Sequence, residues 1–550
     1  MPALLILVFL SLFSAVATAD EAVDEKTQRI TIALSAEPPN LNSLVTTDQI
    51  SSFVLAHVME GLLQYDEHNQ LVGGVAERWQ LRPDGATFWL RRNARWSDGK
   101  PVTARDFVFA WRTAVAPTTA SQYATAFFPI KNAEQINRGE LPPEQLGVRA
   151  LSAFKLEVKF ERPCPYFLGL TAFFSYYPVR EDFYRSRGER YGADAADLLY
   201  NGAFVLKRWV HGASLQFERN PNYWNRRRVH LQGIDIAYIT SDANALFSLY
   251  KSGSIALAQL EPETLRDSLA RGYLIKRFDT GAMFYWQFNL RQGRLTANTK
   301  LRQAIQAVFD PQLLVNKIIG LPGVRAAESL FPRAIRSDGQ VLIDVYPPDL
   351  PPRNLQRARH LLAEAQAEMG IEQIPPLVLL AGDSARAQKE AEYFQQVLSA
   401  GLGLQVRIDK QIFKQRLEKM SRGDFDIAAA AWGPDFDDPI TFGDLMASWN
   451  ENNRGRYRSD IYDFWVTLAQ QEADPALRLQ AFAHMQRILI EDAPVLMTYE
   501  NGQVYVQHPQ LQGVARAIFG GDPNFRYARV TALPRPINSA ATMREKPRPR

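Results

Sequence analysis

"AERWQLRPDGATFWLRRNARWSDGKPVTARDFVFAW", Ala76–Trp111, sets out a strand, a turn, a strand, a second turn and a helix in one run. Asp84-Gly85 lies between two stretches rich in Trp, Phe, Leu and Thr, which is the signal of a hairpin turn. On the strand that follows, Thr87, Trp89 and Arg91 share one face, and Phe88 and Leu90 the other. Ser97-Asp98-Gly99 makes the second turn. Thr103, three positions ahead of Asp106, has the N-cap arrangement for a helix through Trp111.

Outward from this block, strand and helix patterns alternate, which predicts an α/β or mixed α+β chain. Arg29–Leu34 alternates with period two, and Ile50–Leu63 places Phe53, Val54, His57, Val58 and Leu62 on one helical face. Gly202–Trp224 reads as a hairpin turning at His211-Gly212, and Ser241–Gly253 as a capped helix. Met283–Leu290 is an aromatic-rich strand. Pro375–Gly382, Leu404–Lys410 and Phe425–Trp432 are strands joined by helices Arg386–Leu402 and Gln411–Ser421, the layout of parallel crossover units. Pro494–Gln507 returns to strand character.

A chain of 550 residues exceeds what one hydrophobic core supports, so several compact units are expected. The net charge is only +4 and the basic residues are interleaved with acidic ones, which argues against nucleic acid as a partner. Cys164 is the sole cysteine, so neither an internal disulfide nor a thiolate cluster can form. Residues 1–19, MPALLILVFLSLFSAVATA, pass from apolar to small residues ending in A-x-A, as a cleaved secretory signal does; an uncleaved anchor is the alternative. Ser539–Arg550 is basic and Pro-rich and reads as a disordered tail.

Enzyme signatures are scarce. The seven histidines include no pair at helical metal-binding spacing, and no P-loop, nucleophile elbow or dinucleotide fingerprint occurs. Gly382-Asp383-Ser384 reads as a helix N-cap rather than a nucleophile turn. "AAWGPDFDDPITF", Ala430–Phe442, crowds Asp435, Asp437 and Asp438 behind a run of alanines. Metal binding, acid/base work, helix capping and reception of a cationic ligand group all suit such a cluster, although the spacing is not that of a calcium loop.

The opening block resembles the signature of the extracellular solute-binding proteins of family 5, the peptide-binding components of ABC importers. The likeness continues in order through Glu60–Leu63, Thr119–Ala124, Pro165–Phe167, Asn201–Val210, Arg219–Asn225 and Phe425–Phe442. The resemblance implies a type II periplasmic-binding-protein fold: two lobes joined by crossing strands, with an extra domain inserted in the first lobe. By that reading lobe I comprises residues 20–57, 184–290 and 502–538, the extra domain 58–183 and lobe II 291–501. It further implies a periplasmic protein, expected to be monomeric, that takes no cofactor. Such a protein captures peptides and delivers them to an inner-membrane ABC permease with its cytoplasmic ATPase. A modified-peptide or non-peptide ligand is the alternative, and a hydrolase using Asp435 and Asp437 a more distant one.

The same resemblance assigns roles by position. Asp435, beyond the Trp432-Gly433-Pro434 turn, would receive a peptide's N-terminal ammonium, while Asp437 and Asp438 read better as caps. Ala431 and Gly433 would pair with the ligand backbone from the second lobe and Gln49 from the first. Trp432, Tyr123 and Asn289 would line the cleft. The chain departs from the pattern where an arginine able to take a peptide carboxylate is replaced by Ala429, basic and histidine positions by Met420 and Ser421, and an acid by Thr47. Arg422 is the nearest sequence substitute for that arginine.

Overall fold

The hairpin of the opening block forms as Ala76–Arg82 against Gly85–Leu90, in register from Ala76↔Leu90 to Arg82↔Gly85. Thr103 and Asp106 close a reciprocal capping box on the helix Ala104–Val115, and the Asp106 carboxylate also accepts from the buried Trp96 indole at 3.2 Å. The hairpin joins Val148–Ser152 and Lys155–Lys159 in a four-stranded antiparallel sheet. This computed structural model describes residues 22–337 and 339–532; the expected signal (1–19) and tail (539–550) lie outside them. Among the described residues no helix is long and apolar enough to cross a membrane.

A five-stranded mixed sheet gathers Val23–Asp24, Arg29–Leu34, Gly233–Ile239, Ser214–Arg219 and Phe204–Val210, in that order. The last two strands are the expected hairpin, and Gly212 takes φ +71° in its turn, a conformation that glycine reaches at little cost. The first long helix runs Gln49–Val58, shorter than expected. The chain then passes Gly61, where any Cβ would sit 2.5 Å from the Thr171 carbonyl oxygen.

A seven-stranded sheet holds the crossover units. Leu377–Gly382 pairs in parallel with Val406–Gln411 along its length, and with Ile427–Trp432 only at Ile427 and Ala428. Ser384 caps the helix Ala385–Leu402 through the Ala387 N–H. The helix Phe413–Arg422 stops at Gly423, at φ +80°. Packed around Trp286, Phe394, Leu379 and Ile427 is a core distinct from the larger one that carries the other two main sheets.

Two strands of thirteen residues, Lys276–Phe288 and Val495–Gln507, run antiparallel through the middle of this sheet. One end of the pair carries Leu257–Gln259, and the other carries Ile427–Trp432. Their register breaks between Asp279↔Gly502 and Met283↔Glu500, so Thr280, Gly281 and Ala282 bulge where the strands pass from one side of the molecule to the other. Sequence periodicity shows only Met283–Leu290 of the first strand, because the charges and glycine of Lys276–Ala282 mask its alternation.

Candidate ligand-binding site

The strand Ile427–Trp432 is anchored at its start and open at its end. Asp426 accepts from the Val378 N–H at 2.8 Å and the Arg294 guanidinium at 3.3 Å, pinning the strand to its parallel neighbour. Ala428 is fully buried, whereas Ala429 and Ala430 are partly accessible and Ala431 is exposed. On one edge Met283–Phe288 pairs the whole strand; beyond Ala428 the other edge has no strand partner among the described residues. Main-chain groups at such an edge are free to pair with an extended chain.

After Trp432 the chain turns at Gly433-Pro434 and presents Asp435. The Tyr123 hydroxyl donates to both Asp435 carboxylate oxygens, at 3.2 and 3.3 Å. The Asp435 N–H donates to Thr441 Oγ1 at 3.1 Å. No Lys, Arg or His forms an ion pair with Asp435 among the described residues; its partners are the two hydroxyl-bearing residues. Burial, and next the nearby Asp444, push its carboxyl well above the usual carboxylate range, against the pull of Tyr123 and Thr441. Burial and Asp438 raise Asp444 itself to about 7.

Tyr123 is held by edge-on contacts with Phe173 and Phe174, at 4.8 and 5.7 Å between ring centres, and lies 6.2 Å from the Trp432 ring. Gln49, exposed at the start of its helix, lies over Gly433: a Cβ there would meet Gln49 Nε2 at 2.7 Å. The structure therefore brings Gln49, Tyr123, Trp432, Gly433 and Asp435 together from distant parts of the chain, with Ala431 on the adjoining strand edge. Asn289 does not join them. It is fully buried, and its amide donates to the carbonyls of Gly423 and Phe425 at 3.0 and 2.8 Å while accepting from Arg291. It fastens the loop that launches the strand.

The other two aspartates part company. Asp438 accepts from the Ile440 N–H at 2.9 Å, as a cap does, and forms a two-point ion pair with Arg478 at 2.5 and 2.6 Å in which both side chains are nearly dry. Asp437 is exposed; its N–H donates to the Tyr65 hydroxyl, and the capping falls to Asp438 alone. Among the described residues Asp435 and Asp437 bond to different residues, the first to Tyr123 and Thr441 and the second, through its N–H, to Tyr65.

Sequence reading missed two arginines at the site. Arg416, from the helix Phe413–Arg422, donates to the Ala429 carbonyl at 3.4 Å, where Ala429 itself offers no side chain. Arg454 reaches Thr47 Oγ1 at 3.4 Å and Gln122 Oε1 at 3.5 Å. Arg422, the expected substitute, is instead exposed and paired with Asp424 at 2.9 Å. Met420 is a buried member of a small apolar cluster with Leu380, Phe425 and Ala428, and Ser421 is exposed. Nothing in "FKQRLEKMSR" or "NNRGRY" separates Arg416 or Arg454 from the other basic residues of the chain.

Comparison with known proteins identifies the family of the chain. Residues 70–454 match the bacterial extracellular solute-binding proteins, family 5. The chain belongs to that family. The periplasmic murein peptide-binding protein of Escherichia coli (strain K12) is 29% identical over 88% of this chain and 90% of its own. The substrate-binding domain of an oligopeptide ABC transporter from Bacillus anthracis str. Ames superposes with TM-score 0.87 at 31% identity, covering 93% of this chain and 100% of that one. OppA of Listeria monocytogenes bound to peptide gives 0.86 at 27% identity, covering 92% and 99%. These matches place this solute-binding protein in the multi-domain type II periplasmic-binding fold.

The arrangement of its parts is informative too. The murein tripeptide-binding protein of E. coli superposes at 0.84, but its unliganded open form only at 0.62 with no loss of coverage. This family-5 chain is thus arranged unlike that open form, in keeping with the Tyr123–Asp435 and Gln49–Gly433 contacts.

Proposed function

We propose that this protein captures extended peptides between two lobes in the periplasm and hands them to an inner-membrane ABC permease served by a cytoplasmic ATPase. The observation that carries the reading is Asp435: a half-buried carboxylate without a basic partner, bonded by Tyr123 from across the cleft, at the end of an open strand edge. A peptide ammonium arriving there offsets the desolvation that disfavours the charged carboxylate. Main-chain pairing along Ala429–Trp432 supplies affinity indifferent to side chains. Ala431, Gly433 and Gln49 serve that pairing, and Trp432 and Tyr123 wall the ammonium end.

Lobe I is drawn from residues 20–57, 184–290 and 502–538, the extra domain from 58–183 and lobe II from 291–501, with one refinement. The pivot in the first crossing strand falls at Thr280–Ala282, opposite Asn501, rather than after Leu290. Ligand that bridges both lobes favours the closed state by its differential affinity. A monomer suffices for this work.

Native mass spectrometry of protein purified without added ligand tests the reading. Adducts with peptide masses support it; a single adduct of non-peptide composition contradicts it.

A further inference from the structure

Several arginines that are largely withdrawn from solvent are compensated. Arg478 pairs with Asp438, Arg516 with Asp522 at 2.7 Å and Arg386 with Glu390 at 3.0 Å. Arg302 has no carboxylate but donates to the carbonyls of Thr296, Ala297, Asp492 and Ala493. Arg416 and Arg454, both half-buried, lack a paired carboxylate, and both lie at the candidate cleft.

Neither forms an ion pair with a described carboxylate, and the Nε of each is buried without a hydrogen-bond partner. Their remaining hydrogen bonds are long, at 3.4–3.5 Å. The acids that face them are committed or remote. Asp48, which faces Arg454, already accepts from the Ser51 N–H at 2.8 Å and from Thr46 Oγ1 at 2.9 Å. Asp383, which faces Arg416, is exposed to solvent. The two guanidinium groups also repel each other, and burial disfavours the charge on both. Two half-buried like charges without a paired carboxylate are costly, and an anion would complete the site.

Their positions order the cleft. Asp435 touches Tyr123; Gln122, the next residue back, touches Arg454; Arg454 acts on Arg416; and Arg416 touches Ala429. Ala429 to Trp432 spans roughly 10 Å of strand, about three residues of a peptide lying alongside. A cation-binding end and an arginine-lined end thus face one short extended ligand.

Building on the peptide reading above, we infer that the cleft selects short acidic peptides: Arg416 receives the terminal carboxylate, and Arg454 receives a second carboxylate carried by the peptide. Thr47 contributes to this choice, because it offers Arg454 a hydroxyl and leaves its charge for the ligand.

The test is calorimetric titration of the full chain with Ala-Ala-Ala, with Glu-Ala-Ala, Ala-Glu-Ala and Ala-Ala-Glu, and with the Gln counterpart of each. At least one Glu peptide is expected to bind about tenfold or more tighter than its Gln counterpart, the size of one charge-assisted contact. In Arg454→Gln that preference falls to about twofold or less, whereas Arg454→Lys, which keeps the charge, retains part of it. Melting curves confirm that both variants fold. Tripeptides that bind with equal Glu and Gln affinities overturn the acidic-ligand inference and leave the peptide reading standing. Failure of every tripeptide to bind overturns the short-peptide inference, and the peptide reading then falls only if the native mass spectrum shows a non-peptide adduct.

Discussion

The Tyr123 hydroxyl donates to both carboxylate oxygens of Asp435, joining two residues 312 positions apart across the cleft. The bond closes the end of the site proposed to take an ammonium, and it favours the ionised carboxylate. Tyr123→Phe removes it and raises the Asp435 carboxyl further. Affinity for Ala-Ala-Ala at pH 7 should fall by about 1 kcal/mol, the worth of one hydrogen bond. The deficit should shrink as pH rises. A deficit independent of pH, in calorimetry, would separate Tyr123 from the ionisation of Asp435.

Asp435→Asn tests the anchor itself. One charge-assisted contact is lost, so peptide affinity should drop by about 1.5–3 kcal/mol. Calorimetry on the folded variant reads this directly, and unchanged affinity would remove Asp435 from the site.

The pH dependence has a definite sign. Asp435 lies above the ordinary carboxylate range and Asp444 at about 7, while the bound ammonium needs an ionised carboxylate. Binding therefore releases protons, and affinity should rise from about pH 5 towards 7, then fall once the peptide amine deprotonates near 8. Titrations in two buffers of different ionisation enthalpy count the released protons. For the unliganded fold the sign is opposite. A carboxyl whose folded pKa exceeds its unfolded value costs stability as pH climbs from about 4 to 7, so Asp444→Asn should raise the melting temperature at pH 8 and change it little at pH 4.

Asp438 belongs to the framework rather than to the ligand. Removing one partner of its near-dry pair with Arg478 strands a buried charge, so Asp438→Ala should destabilise by about 3–5 kcal/mol. Asp438→Leu combined with Arg478→Met should recover much of that loss in denaturant titrations. A double variant as unstable as the single one would contradict the explanation.

Gly281 marks the proposed pivot. Its φ is +69°, and a Cβ there would lie 3.2–3.3 Å from Ala334 Cβ, Ile518 Cγ2 and Pro434 Cγ. Gly281→Ala should cost about 1–2 kcal/mol in a conformation that L-residues avoid. It should also weaken peptide binding, because Pro434 precedes Asp435. A melting curve and a titration equal to those of the parent would place the pivot elsewhere.

Much of the fold is legible where periodicity is local. The Ala76–Trp111 hairpin, the Thr103–Asp106 box and the crossover strands all follow from neighbours within a few positions. The need for glycine at position 61 is not legible, since it depends on the Thr171 carbonyl more than a hundred residues away. The site divides the same way. Asp435 stands out in sequence because a carboxylate cluster behind small residues is unusual. Asn289 reads as a cleft residue until its amide is seen bonded to carbonyls 134 and 136 positions distant. Arg416 and Arg454 look like ordinary surface charges, because the burial of their Nε atoms and their lack of a paired carboxylate arise only from tertiary packing.

The central claim is that Asp435 holds a peptide's free N-terminus. Calorimetric titration of the parent protein with Ala-Ala-Ala and with N-acetyl-Ala-Ala-Ala tests it most directly. The account predicts that acetylation weakens binding by about tenfold or more, and that the two peptides bind Asp435→Asn with similar affinity. Equal affinity of the parent protein for both peptides would contradict it.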